Sequence, residues 1–432
     1  MAKGRGALME YLKKSKEKQK EDLTSTRTLV AEIIERVQSE GESAVRHYSE
    51  RFDRWNPKSF RLSKREIEDA ESALPDAHKK DITFLRDQVE RFAIAQKKTL
   101  VDFEVETLPG VHLGQKYIPI RSLGVYVPGG RYTLIASSIM SIVPAKVAGV
   151  ERIVACAPPR NGQINPAVIY AIKSAGADEI YSIGGAQAIA AMAFGLGEEV
   201  LPPVDMVAGP GNKFVLEAKR QMFGRVGIDL LAGPTEIGII ADDSADPSII
   251  AADIIGQAEH DPDSPQFLIT TSRELAKRVI DEIERQLMGL ETADVARSAW
   301  SKNGEIILVS SREEAARLAD EYAPEHLEVQ ARDLDWYLKR LKNYGSLFLG
   351  EESTVAYSDK AIGTNHILPT GGAARYTGGL WVGKYMKNVT YQRLDRKGSL
   401  TIAPVAGNIA HLEGMFAHER STKARISKYS GN

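Results

Sequence analysis

From Ser122 to Leu230 short apolar runs bounded by glycine or proline alternate with stretches of helical periodicity. The spacing predicts strands at 123–127, 152–156, 179–182, 204–207 and 226–230, with helices at 136–148, 165–175, 185–194 and 212–222 between them. Apolar strands separated by helices pair through right-handed crossovers, so a parallel sheet covered on both faces is expected. A second set begins at Glu236-Ile-Gly-Ile-Ile-Ala. It continues through helices at 248–259 and 279–287, a strand at 304–309, a helix at 311–321 and a strand at 345–349. The expected fold class is therefore α/β, with two parallel-sheet units.

A chain of 432 residues exceeds the roughly 250–300 residues over which one core keeps growing, which also favours more than one domain. Helical spacing predicts two amphipathic helices between Leu23 and Arg54, with Thr24 or Ser25 as caps and Gly41 as the break, and another helix over 77–97. After Leu380 an arm is expected, and past Pro404 a helix within Val405 to Lys428. That tail has no sheet of its own to close and is expected to dock on a second subunit. The expected division is 1–120, N-terminal helices leading into the first α/β domain; 121–233, an inserted Rossmann-like domain; 234–380, the rest of the first domain; and 381–432, an arm and helix crossing to the partner.

A net charge of −2 with 26% charged residues argues against nucleic acid as a bulk electrostatic partner. Cys156 is the sole cysteine, so one chain can build neither a disulfide framework nor a thiolate zinc cluster, and a metal must take N and O ligands. The opening segment is too rich in Lys and Glu for a signal peptide, and no run of about 18 apolar residues occurs. A cytoplasmic protein without a membrane partner is the default expectation.

Gln257-Ala-Glu-His260 places two metal-capable side chains on one helical face. On spacing alone this is equally a surface-facing helix turn. Asp359 and His418 would complete an all-N/O set that zinc accepts. Glu325-His326 follows Ala323-Pro324 and precedes an apolar–polar alternation, so it is expected at a helix-to-strand turn with both side chains held stiffly. A histidine beside a carboxylate suits proton removal from an alcohol and then from a hydrate, though a turn or interface histidine reads the same way. His366, in Gly363-Thr-Asn-His-Ile-Leu-Pro, stands similarly, whereas His47, His78 and His112 read as structural. His411 and His418 would share a face of one terminal helix, with Glu413 about 140° from His418 on an ideal helix.

Three glycine-rich turns, GVYVPGG (124–130), GGAQAIA (184–190) and GPGNKF (209–214), end predicted strands. None is GxGxxG. Each is either a tight turn or a phosphate cradle, and together they line the carboxyl ends of strands where open parallel sheets bind ligands.

These turns, with PAKVAGVERIVAC, VGIDLLAGPTE, GQAEHDPDS, YAPEHLEV, GSLFLG and GTNHILPT, make the chain resemble the histidinol dehydrogenase family over nearly its whole length. The resemblance implies two Rossmann-like domains lacking GxGxxG, a homodimer with shared active sites, one Zn2+ per site, and NAD used twice to take a primary alcohol through an aldehyde to a carboxylate. Carried onto matching positions, it implies that Gln257, His260, Asp359 and the partner subunit's His418 bind zinc, and that Tyr126, Gln187 and Asn212 bind NAD. It further implies that Thr235, His326, His366 and Glu413 contact substrate together with the zinc ligands, and that Glu325 and His326 form the catalytic pair.

In the same comparison Arg131-Tyr132 stands where small residues follow GVYVPGG, and Thr235 replaces a serine. GRYTLIAS, GAARYTGG and LEGMFAH look closer to the sulfopropanediol 3-dehydrogenase branch, which implies oxidation of 2,3-dihydroxypropane-1-sulfonate to sulfolactate. A guanidinium fork suits a sulfonate, so Arg131, with Arg375, is expected to select an anionic substrate. Arg131 contacting cofactor phosphate or capping a helix is the plainer alternative. A genuine histidinol dehydrogenase, a zinc-binding scaffold without activity and a phosphate-binding transferase are the competing functions.

Overall fold

A computed structural model describes residues 9–16, 23–129, 132–197 and 200–431. The first sheet is parallel throughout, in the order Glu179–Tyr181, Arg152–Cys156, Ser122–Tyr126, Met206–Ala208, Gly227–Ile228. Its strands pair as crossovers demand because helices cover both faces. Ile135–Ala148 and Pro166–Ala175 lie on one face under Lys64–Ala73 and Asp76–Lys97. Gly185–Phe194 and Lys213–Met222 lie on the other under Thr24–Glu40 and Glu42–Asp53. The break between the last two helices is Gly41, at φ 60°, as the sequence suggests. No side chain caps the first of them: Thr24 opens the helix and Leu23 holds the cap position.

The second sheet runs Glu10–Lys13, Gly304–Leu308, Gln266–Thr270, Ile237–Ala241, His326–Gln330, Ser346–Leu349. All are parallel except Glu10–Lys13, which pairs antiparallel along the Gly304–Leu308 edge. Parallel sheets buried on both faces account for the near-continuous apolar texture of strands such as Ile237–Ala241. The α/β class with two parallel sheets is thus observed.

A third sheet, antiparallel, joins Phe103–Leu108, Val111–Pro119 and Met386–Leu394. The expected arm after Leu380 therefore ends in a strand. The expected single helix over 405–428 is replaced by two, Arg396–Leu412 and Phe416–Tyr429. The first begins before Pro404 because the Asp395 side chain caps it by accepting from Gly398 N–H. It stops at Gly414, whose φ of 72° reverses the chain. The second helix folds back on the first, so closely that a Cβ on Gly407 would come within 2.6 Å of the Thr422 hydroxyl. His411 and His418 consequently do not share a helix face, and the ideal-helix angle between Glu413 and His418 does not apply. Among the described residues no helix is long and apolar enough to cross a membrane.

Candidate active site

Helix Arg312–Tyr322 ends in Ala323 at φ 49°, a left-handed conformation costing about 1–2 kcal/mol for an L-residue. Pro324 forbids continuation, and the chain turns directly into strand His326–Gln330. His326 pairs with Ile237 on one side and Ser346 on the other, so its backbone is fixed by the ladder. The stiff helix-to-strand turn inferred from the sequence is what forms.

Both side chains of the pair are buried. Glu325 Oε2 accepts from the Thr235 hydroxyl at 2.6 Å and from Glu236 N–H at 2.9 Å. His326 Nδ1 lies 3.0 Å from the Glu236 carbonyl, which can only accept, so Nδ1 carries a hydrogen and Nε2 is the exchangeable position. That Nε2 is buried, with no partner among the described residues. Burial opposes protonation of the ring, but the Glu325 carboxylate at 3.4 Å, with Asp359 and the Glu236 carbonyl, outweighs it and raises the pKa to about 9.

Helix Pro247–Ala258, capped by Asp246, delivers Gln257 in its last turn and His260 just beyond. Gln257 Nε2 donates to the Thr235 hydroxyl, which donates onward to Glu325. Asp359 lies in the last turn of the short helix Val355–Lys360. Burial works against its charge, but His366, Lys360, His326 and His260 around it prevail and lower its pKa. Burial in turn holds His260 and His366 below the ordinary histidine value despite Asp359. His366 Nε2 also meets the Ser137 hydroxyl at 3.1 Å, linking the cluster to a helix of the first sheet.

Seven of the expected positions thus converge: Thr235, Gln257 and His260 with Glu325, His326, Asp359 and His366. Glu413 and His418 are exposed on the tail and are not among the groups that perturb the cluster. Arg375 is exposed and donates from Nη2 to the Glu321 carbonyl at 2.6 Å. Arg131 lies outside the described residues. Among the described residues no group of three or more His, Cys, Asp and Glu side chains is placed to hold a metal; the expected set draws on Gln257, an amide, and on a residue of a second chain.

The cluster occupies the amino ends of its strands, not the carboxyl ends. There the negative end of helix Pro247–Ala258 favours a cation. The carboxyl ends of the first sheet hold a separate cavity of about 620 Å³, lined by Tyr126, Tyr132, Pro158, Gln187 and Asn212 among others. Tyr132 donates to the Glu259 carbonyl, so the two sites adjoin. Polar groups within the chain already engage some of the donors at these glycine turns. Gly185 N–H bonds the Tyr126 hydroxyl, and Asn212 Oδ1 accepts from Phe214 and Val215 N–H. Gly209 is required sterically: at φ 112°, a Cβ there would sit 2.1 Å from the Tyr126 carbonyl.

Several residues escaped the sequence reading. Glu236 supports Glu325 and His326 through its backbone, and its carboxylate accepts from Gly371 and Glu325 N–H; its only signal was its place in AGPTE. Asp53 reaches the cavity from an N-terminal helix. Glu328, buried, and Asp253, half-buried, form a carboxyl pair. Asp253 accepts from Thr354 Oγ1 at 2.8 Å and Gln330 Nε2 at 3.1 Å, Glu328 accepts from Val355 N–H at 3.2 Å, and the two carboxyls hydrogen-bond to each other. Burial and the neighbouring Asp253 hold Glu328 well above the carboxylate range, so it is the protonated partner. The pair joins the elements that carry Gln257, His326 and Asp359.

A family profile described as histidinol dehydrogenase matches residues 16–426 of this chain. A histidinol dehydrogenase homolog of Shouchella clausii is 52% identical over 424 residues, 98% of this chain and 100% of that one. Sulfopropanediol 3-dehydrogenase of Ruegeria pomeroyi is 51% identical over 424 residues, 98% of this chain and 97% of that one. The crystal structure of histidinol dehydrogenase from Elizabethkingia anophelis matches with a TM-score of 0.91 at 33% identity, covering 97% of this chain and 95% of that one.

Proposed function

This chain belongs to the histidinol dehydrogenase family, and on that footing we propose that it oxidises a primary alcohol through an aldehyde to a carboxylate, with zinc and two NAD. The observation that carries this is the buried Glu325–His326 pair, its Nε2 unpartnered, beside Gln257, His260 and Asp359 and next to a dinucleotide-sized cavity.

The side chains suit a zinc ion: an amide, an imidazole kept neutral by burial and a carboxylate kept charged, at the negative end of a helix. Gln257, His260 and Asp359, with His418 of the partner subunit, would hold it, and when bound it polarises and orients the alcohol oxygen. NAD, bound along Tyr126, Gln187 and Asn212, supplies the hydride acceptor.

The chain's own residues handle the protons. With Nδ1 committed to the Glu236 carbonyl, His326 exchanges only at Nε2, which takes the hydroxyl proton, releases it to solvent between the two oxidations, and then takes that of the aldehyde hydrate. Glu325 stabilises the resulting imidazolium and orients water onto the aldehyde. Engaging Asp359 as a ligand removes one of the charges that now hold the His326 proton. His366, Thr235 and the partner's Glu413 complete the substrate contacts.

The substrate we propose is anionic, 2,3-dihydroxypropane-1-sulfonate, supported by the 51% likeness to a sulfopropanediol 3-dehydrogenase and by Arg131 in the sequence. The alternative is L-histidinol. NADH formation by zinc-loaded enzyme on each alcohol separates them: turnover of the sulfonate is expected, and robust histidinol oxidation with none on the sulfonate overturns the substrate. Chelation should abolish turnover and zinc restore it; activity indifferent to both overturns the metal. Silence on both alcohols and a broader panel would favour a scaffold.

A further inference from the structure

Asp53 is the last residue of helix Glu42–Asp53 and is half-buried in the wall of the 620 Å³ cavity. Its Oδ2 lies 3.4 Å from Gln187 Nε2, a long hydrogen bond, and among the described residues it pairs with no cation. Burial without compensation pushes its pKa up to about 6, so it is still ionised at neutral pH. Two further polar groups gather there. Among the described residues Gln187 Oε1 is buried and unpartnered, and the Tyr126 hydroxyl already accepts from Gly185 N–H, which leaves its own hydrogen to donate. A Cβ on Gly184 would come within 3.1 Å of Asp53 Oδ2, so the carboxylate sits against the turn that opens helix Gly185–Phe194. A negative charge already occupies the place where that turn would otherwise receive a phosphate.

An under-served carboxylate in a ligand cavity calls for paired hydroxyl donors and repels anions. A ribose with both hydroxyls free supplies the donors; a ribose carrying a 2′-phosphate supplies a clash of charge. The cavity flank that bonds Glu259, beside His260, is Tyr132, so the reacting end of a dinucleotide belongs there. Asp53 stands on a different flank, the one built by the N-terminal helices, which leaves it for the adenosine end. We infer that Asp53 accepts the 2′,3′-diol of the adenosine ribose and makes the cavity choose NAD over NADP. This rests on the reading above that the cavity takes NAD.

Calorimetric titration of wild type and Asp53→Asn with NAD, NADP, AMP and nicotinamide mononucleotide tests it. Asp53→Asn is expected to weaken NAD and AMP at least tenfold and to narrow the NAD/NADP preference at least tenfold. Nicotinamide mononucleotide affinity should be unchanged, to within about twofold. NAD and AMP affinities within twofold of wild type with NADP still excluded, or a loss confined to nicotinamide mononucleotide, overturn the inference. If Asp53→Asn loses every ligand alike, Asp53→Glu decides: it keeps the charge, so NAD must bind and NADP stay excluded, and any other result overturns it. A wild-type chain that binds none of the four refutes the cofactor reading itself, a result distinct from all of these.

Discussion

Thr235 joins the two halves of the site, accepting from Gln257 and donating to Glu325. Thr235→Val removes both links and leaves Glu325 one donor short. Since a hydrogen bond to a charged group contributes about 1.5–3 kcal/mol, kcat should fall about 10- to 100-fold, while Thr235→Ser should stay within a few-fold. Steady-state kinetics with NAD checks this; an unimpaired valine variant would show the relay to be idle. His326→Ala should cost at least about 100-fold in kcat with little change in thermal midpoint, and a loss only in KM would contradict a role in proton transfer. Glu325, His326, Gln257 and His260 were legible because adjacency and helical spacing bring them together without knowledge of the fold. Glu236 and Asp53 were not, because each reaches its site through space from an element whose own pattern is unremarked.

Helix Pro247–Ala258, strand His326–Gln330 and helix Val355–Lys360 meet at the Asp253–Glu328 pair. Unfolded, Glu328 ionises at the ordinary glutamate value of about 4.3, but folded it keeps its proton. The folded chain then binds the extra proton, so this group's contribution to stability falls as pH rises above that point. Glu328→Gln keeps a donor for Asp253 without taking up a proton. Its stability relative to wild type should therefore climb between pH 5 and 8, by up to about 1.4 kcal/mol per unit, read by denaturant unfolding; parallel curves at the two pH values would refute a shared proton. Asp253→Asn sets donor against donor and should destabilise by about 1–3 kcal/mol at either pH. The strand HLEVQ alternates as a half-exposed strand does, yet it is buried on both faces, so the alternation by itself does not reveal that Glu328 is buried. Alternation across 122–230 was legible because crossovers leave few topologies. The tail was not, since Pro404 is accommodated inside a capped helix and the real stop is Gly414.

On the tail, Leu412 is 85% exposed, and Val405, Ile409 and Phe416 are exposed with it. Uncovered apolar surface of this kind suits a contact face, and the proposed second subunit would cover it. If each site combines one chain's core with the other's tail, His326→Ala and His418→Ala chains should each be inactive. A mixture allowed to exchange subunits should regain about a quarter of wild-type turnover, since half the dimers are hybrid and each carries one intact site. No recovery despite proven exchange would place each site within a single chain. Where Tyr132 meets Glu259, the two sheets present opposite backbone polarity: amide hydrogens of helix starts on the proposed cofactor side, carbonyl oxygens of a helix end on the proposed alcohol side. Electron density leaving carbon for the dinucleotide would travel down that built-in gradient, with the peptide scaffold tilted toward oxidation before any side chain acts.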